Sequence, residues 1–334
     1  IYTLSLHDAL PISGIKFEVS ATYFTKIVNS VEYSYIWRLN IKIHIMRIAE
    51  SELIINDDGS AFHIHLKPEE LADIVILVGD PGRVDMVAGF LTDIEFRHQS
   101  REFVSTTGKY NGKRVTVLST GIGTDNIDIV MTELDALANV DFTTREPKKE
   151  HRTLTILRIG TCGAVQADIP LGSAIFSHYS VGCDGLMNWY EGRDELSNLE
   201  MEKAFKEHTH WDKNLPSPYF VKASEKLIKK FEDCSVKGMT ISASGFYGPQ
   251  GRVVRQGLAM PDMLEDFESF RFGEYRITNF EMESSAVAGM AKRLGHEAGT
   301  ICCAIANRYL KSSNPDYKPQ VRALVELALN KLCE

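Results

Sequence analysis

The sequence predicts an α/β fold with a largely parallel central sheet. Three observations carry that expectation. Short β-branched apolar runs alternate with segments whose apolar residues recur every three or four positions. Glycine-rich turns fall where several of the apolar runs end. The chain has 334 residues, 44% of them apolar, which is ample for a large core. No Pro/Ser-rich linker divides it, so residues 46–334 read as one domain.

DIVILVGD, residues 73–80, is a short β-branched run and reads as a buried strand, and residues 84–91 read as the helix after it. The scheme repeats with a strand and glycine turn over 113–123. Residues 125–140 then place Ile127, Val130, Met131, Leu134 and Leu137 on one helical face. A polar loop, 142–153, leads to a third strand and glycine turn, LTILRIGTCGAV at 154–165, and a fourth strand at 172–182. Residues 186–220 carry charge and aromatics without a period and read as irregular. An amphipathic helix at 224–234 precedes a polar segment reaching about 277. Residues 277–295 place Met282, Ala286, Val287, Met290, Ala291 and Leu294 on one side, with Gly295 as C-terminal cap. A buried strand at 299–308 and a final helix close the chain.

The formal net charge of −8 argues against nonspecific binding to nucleic acid or to an anionic membrane. No apolar run reaches the roughly 18 residues that span a bilayer. The six cysteines lack zinc or oxidoreductase spacing and read as reduced thiols of a cytoplasmic protein. Residues 1–45 are expected to be a non-native or disordered extension. The opening IYTLSLHDALPISG resembles translated sequencing-adapter read-through, and Met46 precedes the first strand–helix pattern. A genuine disordered or helical extension is the alternative.

Ligands in such folds collect at the carboxyl ends of strands. GDPGR, 79–83, offers bare backbone N–H groups, a helix start and Arg83, a set that suits phosphate; a tight turn with a surface arginine is the alternative. Arg158 stands inside an apolar strand. A buried guanidinium needs carboxylates or an anion, so either a salt bridge or a ligand is expected, with Thr161 adding a hydroxyl. Glu281 and Glu283 in NFEMES either favour a helix dipole or accept hydrogen bonds from a vicinal diol. SGFYGPQGR, 244–252, sets an amide and a guanidinium one residue apart beside aromatics. HQSREF and AFHIHL add Arg101, His63 and His65, which alone read as a solvated charge cluster and an edge strand.

Taken in order, FHIHL, GDPGRV, SREF, STGIG, LRIGTCGAV, FYGPQGR, NFEMESS and CAIANR resemble the nucleoside phosphorylase-I family, most closely its uridine phosphorylase branch, over roughly residues 60–330. The resemblance implies a three-layer α/β/α fold whose mixed central sheet curls toward a barrel. It implies a homo-oligomer built from dimers, usually a hexamer. It places inorganic phosphate at Gly79, Arg83, Arg158 and Thr161, with Arg101 reaching a neighbouring subunit's phosphate. It sends His63 across the dimer interface to the ribose 5′-hydroxyl. Met282 and Glu283 would hold the ribose and Phe246 would stack on sugar or base. Gln250 and Arg252 would read the pyrimidine edge, beside Cys162 and Gly163. Glu102, the Ile122 carbonyl and Asn126 mark a K⁺ site. No redox cofactor is implied, and phosphate is a co-substrate.

The expected activity is reversible phosphorolysis of uridine, extending to deoxyuridine or thymidine. The alternatives are a purine or broad-specificity phosphorylase, a nucleosidase using water, and a non-enzymatic nucleoside binder. Two features depart from the uridine pattern: Cys162 replaces a small hydroxyl residue and leans toward some purine enzymes, and the segment after Arg252 differs from the bacterial enzymes. Ala306, standing where purine enzymes of the family carry an acid, supports a pyrimidine.

Overall fold

The computed structural model describes residues 47–334. The expectation for residues 1–45 lies outside them. Fourteen strands follow one another along the described chain. β1 (Ile74–Val78) leads to β2 (Thr92–Ser100), β3 (Phe103–Tyr110) and β4 (Lys113–Ser119). The short pair β5 (Val140–Asp141) and β6 (Glu146–Pro147) precedes β7 (Thr155–Ala164) and β8 (Ala174–Gly182). Then come β9 (Tyr219–Lys222), β10 (Val236–Ser242), β11 (Arg271–Phe272) and β12 (Tyr275–Glu281). β13 (Glu297–Asn307) and β14 (Ser312–Ser313) end the series.

The order β11-β12-β10-β8-β13-β7-β1-β4-β3-β2 would be an open sheet but for one contact. β12 also pairs antiparallel with β7 through Asn279–Ala164 and Phe280–Gly163. That pairing closes a ring of β7, β13, β8, β10 and β12 into a small barrel, while β1, β4, β3 and β2 extend from it as a wing. The sheet is therefore mixed. β1 is parallel to both β4 and β7, and β13 to β7, whereas β2–β3, β3–β4 and β13–β8 are antiparallel.

Helices cover both faces. Pro81–Ala88, Glu225–Phe231 and Lys318–Cys333 pack Val84, Phe231 and Leu329 into one core with Ile76 and Val78 of β1. Thr124–Asn139 and Ser284–Leu294 pack Val130, Leu134 and Val287 into another with Val75 and Leu77 of the same strand. Alternate residues of β1 thus feed opposite cores, which is why its run is apolar throughout.

Several expectations needed correction. The first helix begins at Pro81, because Asp80 accepts from the Gly82 N–H at 2.9 Å and Pro81 fits the first turn. Met282 precedes its helix, which starts at Ser284 after β12. The stretch 186–220 contains the helix Leu199–His208, capped by Asn198, and the polar segment before 277 contains β10 and the helix Met263–Ser269. These pack around Phe205, Phe267, Phe270 and Phe280. The β2–β3 hairpin was not anticipated, since most of β2 is exposed and lacks an apolar period. All six cysteines are free.

Gly295 adopts φ 79° as the C-cap of Ser284–Leu294 and donates to the Ala291 carbonyl. A side chain is disfavoured in that conformation. Gly295→Ala is expected to lower stability by about 1 kcal/mol in urea melts.

Candidate active site

A cavity of about 690 Å³ opens at the carboxyl ends of β1, β4 and β7. Arg158 enters it from β7, almost fully buried. Its Nη1 lies 3.1 Å from Glu281, its Nη2 bonds Glu283, and Nη1 is 3.8 Å from Cys302 Sγ. Burial opposes its charge, but Glu283 and Glu281 outweigh that and hold the guanidinium above its usual range. Its Nε has no acceptor. Arg158 therefore meets carboxylates, one of the two outcomes its position allowed.

The two glutamates divide their work. Glu281 accepts from the Glu283 and Ser284 N–H groups and so caps the following helix. Glu283 accepts from the Gly123 N–H at 2.8 Å. Burial above all, and the adjacent Glu281, push Glu283 above the usual carboxylate range against the pull of Arg158.

Arg83 lines the same cavity and makes no side-chain hydrogen bond or ion pair among the described residues. Burial first, then repulsion from Arg158, lowers its pKa from the ordinary guanidinium value. A desolvated cation beside another cation is a site that an anion relieves. The glycine turn before it contributes less than its sequence promised, because Asp80 already occupies the Gly82 N–H. Gly79 and Thr161 line the wall nearby.

A second polar group is organised by the turn Gly248–Gln250. Gln250 is buried, and its Oε1 accepts from Arg252 Nη1 at 2.6 Å. Arg252 lies over the Phe246 ring, 3.8 Å from its centroid. Burial, then neighbouring Arg308, lowers Arg252 to about 10, so it stays cationic at neutral pH. Arg308 was not anticipated. It donates to the Gln250 carbonyl at 3.0 Å, and its stem packs against Gly163. From Arg158 to Gly163 is at most about 16 Å along β7, so the two groups face one cavity at different depths.

Phe246, Cys162, Gly163, Met282 and Glu283 also line the cavity, as do Glu102, Ile122 and Asn126. The last three gather at Gly121, whose φ is 72°; a Cβ there would sit 2.5 Å from Asn126 Nδ2 and 3.0 Å from Glu102 Cγ. Their carboxylate, carbonyl and amide are oxygen donors of the kind hard cations take.

His63 and Arg101 stand outside the cavity. Arg101 is exposed, unpaired among the described residues, and held at φ 53° in the two-residue β2–β3 turn. That turn position suits glycine, so an arginine there carries backbone strain.

Residues 73–332 match the Phosphorylase superfamily, and the chain belongs to it. It is 28% identical over 266 residues to a uridine phosphorylase of Thermococcus kodakarensis, covering 79% of this chain and 83% of that protein. It is 26% identical to a guanosine phosphorylase of Halorubrum lacusprofundi, covering 73% and 83%. The crystal structure of a Trypanosoma brucei nucleoside phosphorylase, described as showing uridine phosphorylase activity, superposes with a TM-score of 0.78 at 30% identity, covering 84% of this chain and 99% of that one.

Removing Arg158 would leave two buried carboxylates without a counter-charge. Arg158→Ala is expected to cost about 3–5 kcal/mol in unfolding free energy, measured by chemical denaturation.

Proposed function

We propose that the chain is a uridine phosphorylase, converting uridine and phosphate reversibly to uracil and ribose 1-phosphate. Its broader class is established by its family and relatives: it is a nucleoside phosphorylase, a pentosyltransferase. The choice of uracil rests on the paired Gln250 and Arg252 beside Phe246. An amide both accepts from the pyrimidine N3–H and donates to a carbonyl oxygen, and a guanidinium donates to O4. These two groups bond to each other, so a uracil edge would replace one hydrogen bond with several.

In this reading phosphate rests on Arg83, the spare donor capacity of Arg158, Gly79 and Thr161, joined by Arg101 of the partner subunit. Glu283 accepts from the ribose 2′-hydroxyl while Met282 packs against the sugar. The N-glycosidic bond breaks and its electron pair moves onto uracil, where Arg252 and Gln250 stabilise the growing negative charge. A phosphate oxygen then bonds to C1′ of the cationic sugar. The protein forms no covalent bond, and deoxyuridine or thymidine would follow the same course. A monovalent cation such as K⁺ at Glu102, Ile122 and Asn126 would brace that wall. The minimal unit is a homodimer, assembled as a hexamer, and the expected location is the cytoplasm. No helix among the described residues is long and apolar enough to cross a membrane.

The guanosine-cleaving relative gives a purine substrate some support. Against it, Ala306 near the end of β13 supplies no acid for the purine N7, and the carboxylates lining the cavity all come from other segments. A nucleosidase would use water and gain nothing from gathered arginines.

Uracil release from uridine should require phosphate; release at the same rate without phosphate would identify a hydrolase, and inosine cleaved faster than uridine would identify a purine enzyme. Arg252→Ala should lower kcat about 100- to 1,000-fold, while Ser244→Ala stays near wild type in the same assay. Arg101→Gly should relieve the turn strain without loss of stability, yet raise the KM for phosphate. Because Glu283 takes up a proton at higher pH than an ordinary carboxylate, kcat/KM should fall early on the acid side; Glu283→Gln should lower the plateau and flatten that limb.

A further inference from the structure

We propose that Glu133 is the positioning residue of His63, fixing its imidazole so that Nε2 accepts a hydrogen bond from the pentose 5′-hydroxyl in the partner subunit's cavity. This rests on the reading above that His63 serves the neighbouring site.

Glu133 lies on the helix Thr124–Asn139 and is buried. Its Oε1 is 2.5 Å from His63 Nδ1. The same carboxylate accepts from the His63 N–H at 3.0 Å and from the Ile64 N–H at 3.0 Å. Among the described residues no lysine or arginine pairs with it. A buried carboxylate compensated by neutral donors and one imidazole is costly to keep if packing were its only purpose.

The chemistry of the contact fixes the ring. A hydrogen bond to a carboxylate places a proton on Nδ1. In the neutral imidazole Nε2 then carries a lone pair and is the one ring nitrogen left for a ligand. Phe62 meets the ring edge-on at 4.7 Å between centroids and Phe103 does so at 6.4 Å, which limits its rotation. The His63 side chain keeps 26% of its exposure, so the held ring is still reachable from outside the protomer. Arg101 lies 6.0 Å from the Phe62 ring, on the same surface. The two groups assigned to the neighbouring site thus share one aromatic support.

The helix carries both relationships. Asn126 in its first turn lines the protomer's own cavity, and Glu133 follows two turns later, about 10 Å along the axis. One rigid element would then join a protomer's own site to the arm that completes its partner's.

The test compares kcat/KM for the nucleoside that the protein cleaves fastest with that for its 5′-deoxy analogue. Wild type, Glu133→Gln, His63→Ala and the double variant are measured. Wild type should prefer the hydroxylated substrate by about tenfold. Each single variant should bring that ratio toward one, mainly by raising KM for the hydroxylated substrate, and the double variant should go no further. Glu133→Asp, which keeps the charge but withdraws it from the ring, should give an intermediate ratio and serves if Glu133→Gln does not fold. Equal losses on both substrates in the Glu133 variants would overturn the proposal, leaving Glu133 as a backbone anchor. A wild type indifferent to the 5′-hydroxyl would overturn it too. The ratio is read within one base, so a preference for a base other than uracil would defeat the uridine assignment without touching this result.

Discussion

The site depends on one buried ionic cluster, Arg158 against Glu281 and Glu283. Arg158 belongs to β7, and Glu281 ends β12, the strand that returns to β7 and closes the barrel. Glu281 also caps the helix that follows, and Glu283 ties that junction to Gly123 before the helix Thr124–Asn139. A single guanidinium therefore fastens barrel closure, a helix start and a glycine turn at one point. Two carboxylates against one arginine leave a local excess of negative charge, and burial together with the adjacent Glu281 makes Glu283 hold its proton to higher pH than an ordinary carboxylate. Without its countercharges such a cluster would be too costly to bury.

That balance explains how the cavity divides its labour. Arg83 is desolvated, repelled by Arg158 and without a partner of its own among the described residues, so an oxyanion gains more there than at an already paired cation. Gln250 and Arg252 are in the opposite condition, bonded to each other and braced by Arg308 and Phe246. The first group is primed for charge and the second is pre-organised for a planar polar edge. In the proposed reading a sugar sits between them with its anomeric carbon open to both, the arrangement phosphorolysis needs.

Much of this was legible in the sequence, for physical reasons. β1 and β13 announce themselves because strands buried on both faces must be apolar throughout. Arg158 stood out because charge inside such a run demands compensation, although only the fold shows that both glutamates supply it. What escaped was non-local or exposed. β2 pairs through its backbone while most of its side chains face solvent, so it carries no period. The helix Leu199–His208 is half polar and packs on aromatics from distant segments. Arg308 looks like an ordinary residue after a strand until the Gly248–Gln250 turn is folded against it. Glu133 interrupts an apolar helical face, and nothing nearby in sequence reveals that His63, 70 positions earlier, is its partner. The glycine turn at 79–83 misled slightly, because Asp80 caps the helix that bare N–H groups were expected to leave open.

The most direct measurement follows phosphorus rather than base. A ³¹P NMR time course of the protein with uridine and inorganic phosphate should show the phosphate resonance converting into that of a sugar phosphate monoester as uracil accumulates. Uracil appearing while inorganic phosphate stays unchanged would contradict the account, because the gathered arginines would then hold an ion that takes no part in the reaction.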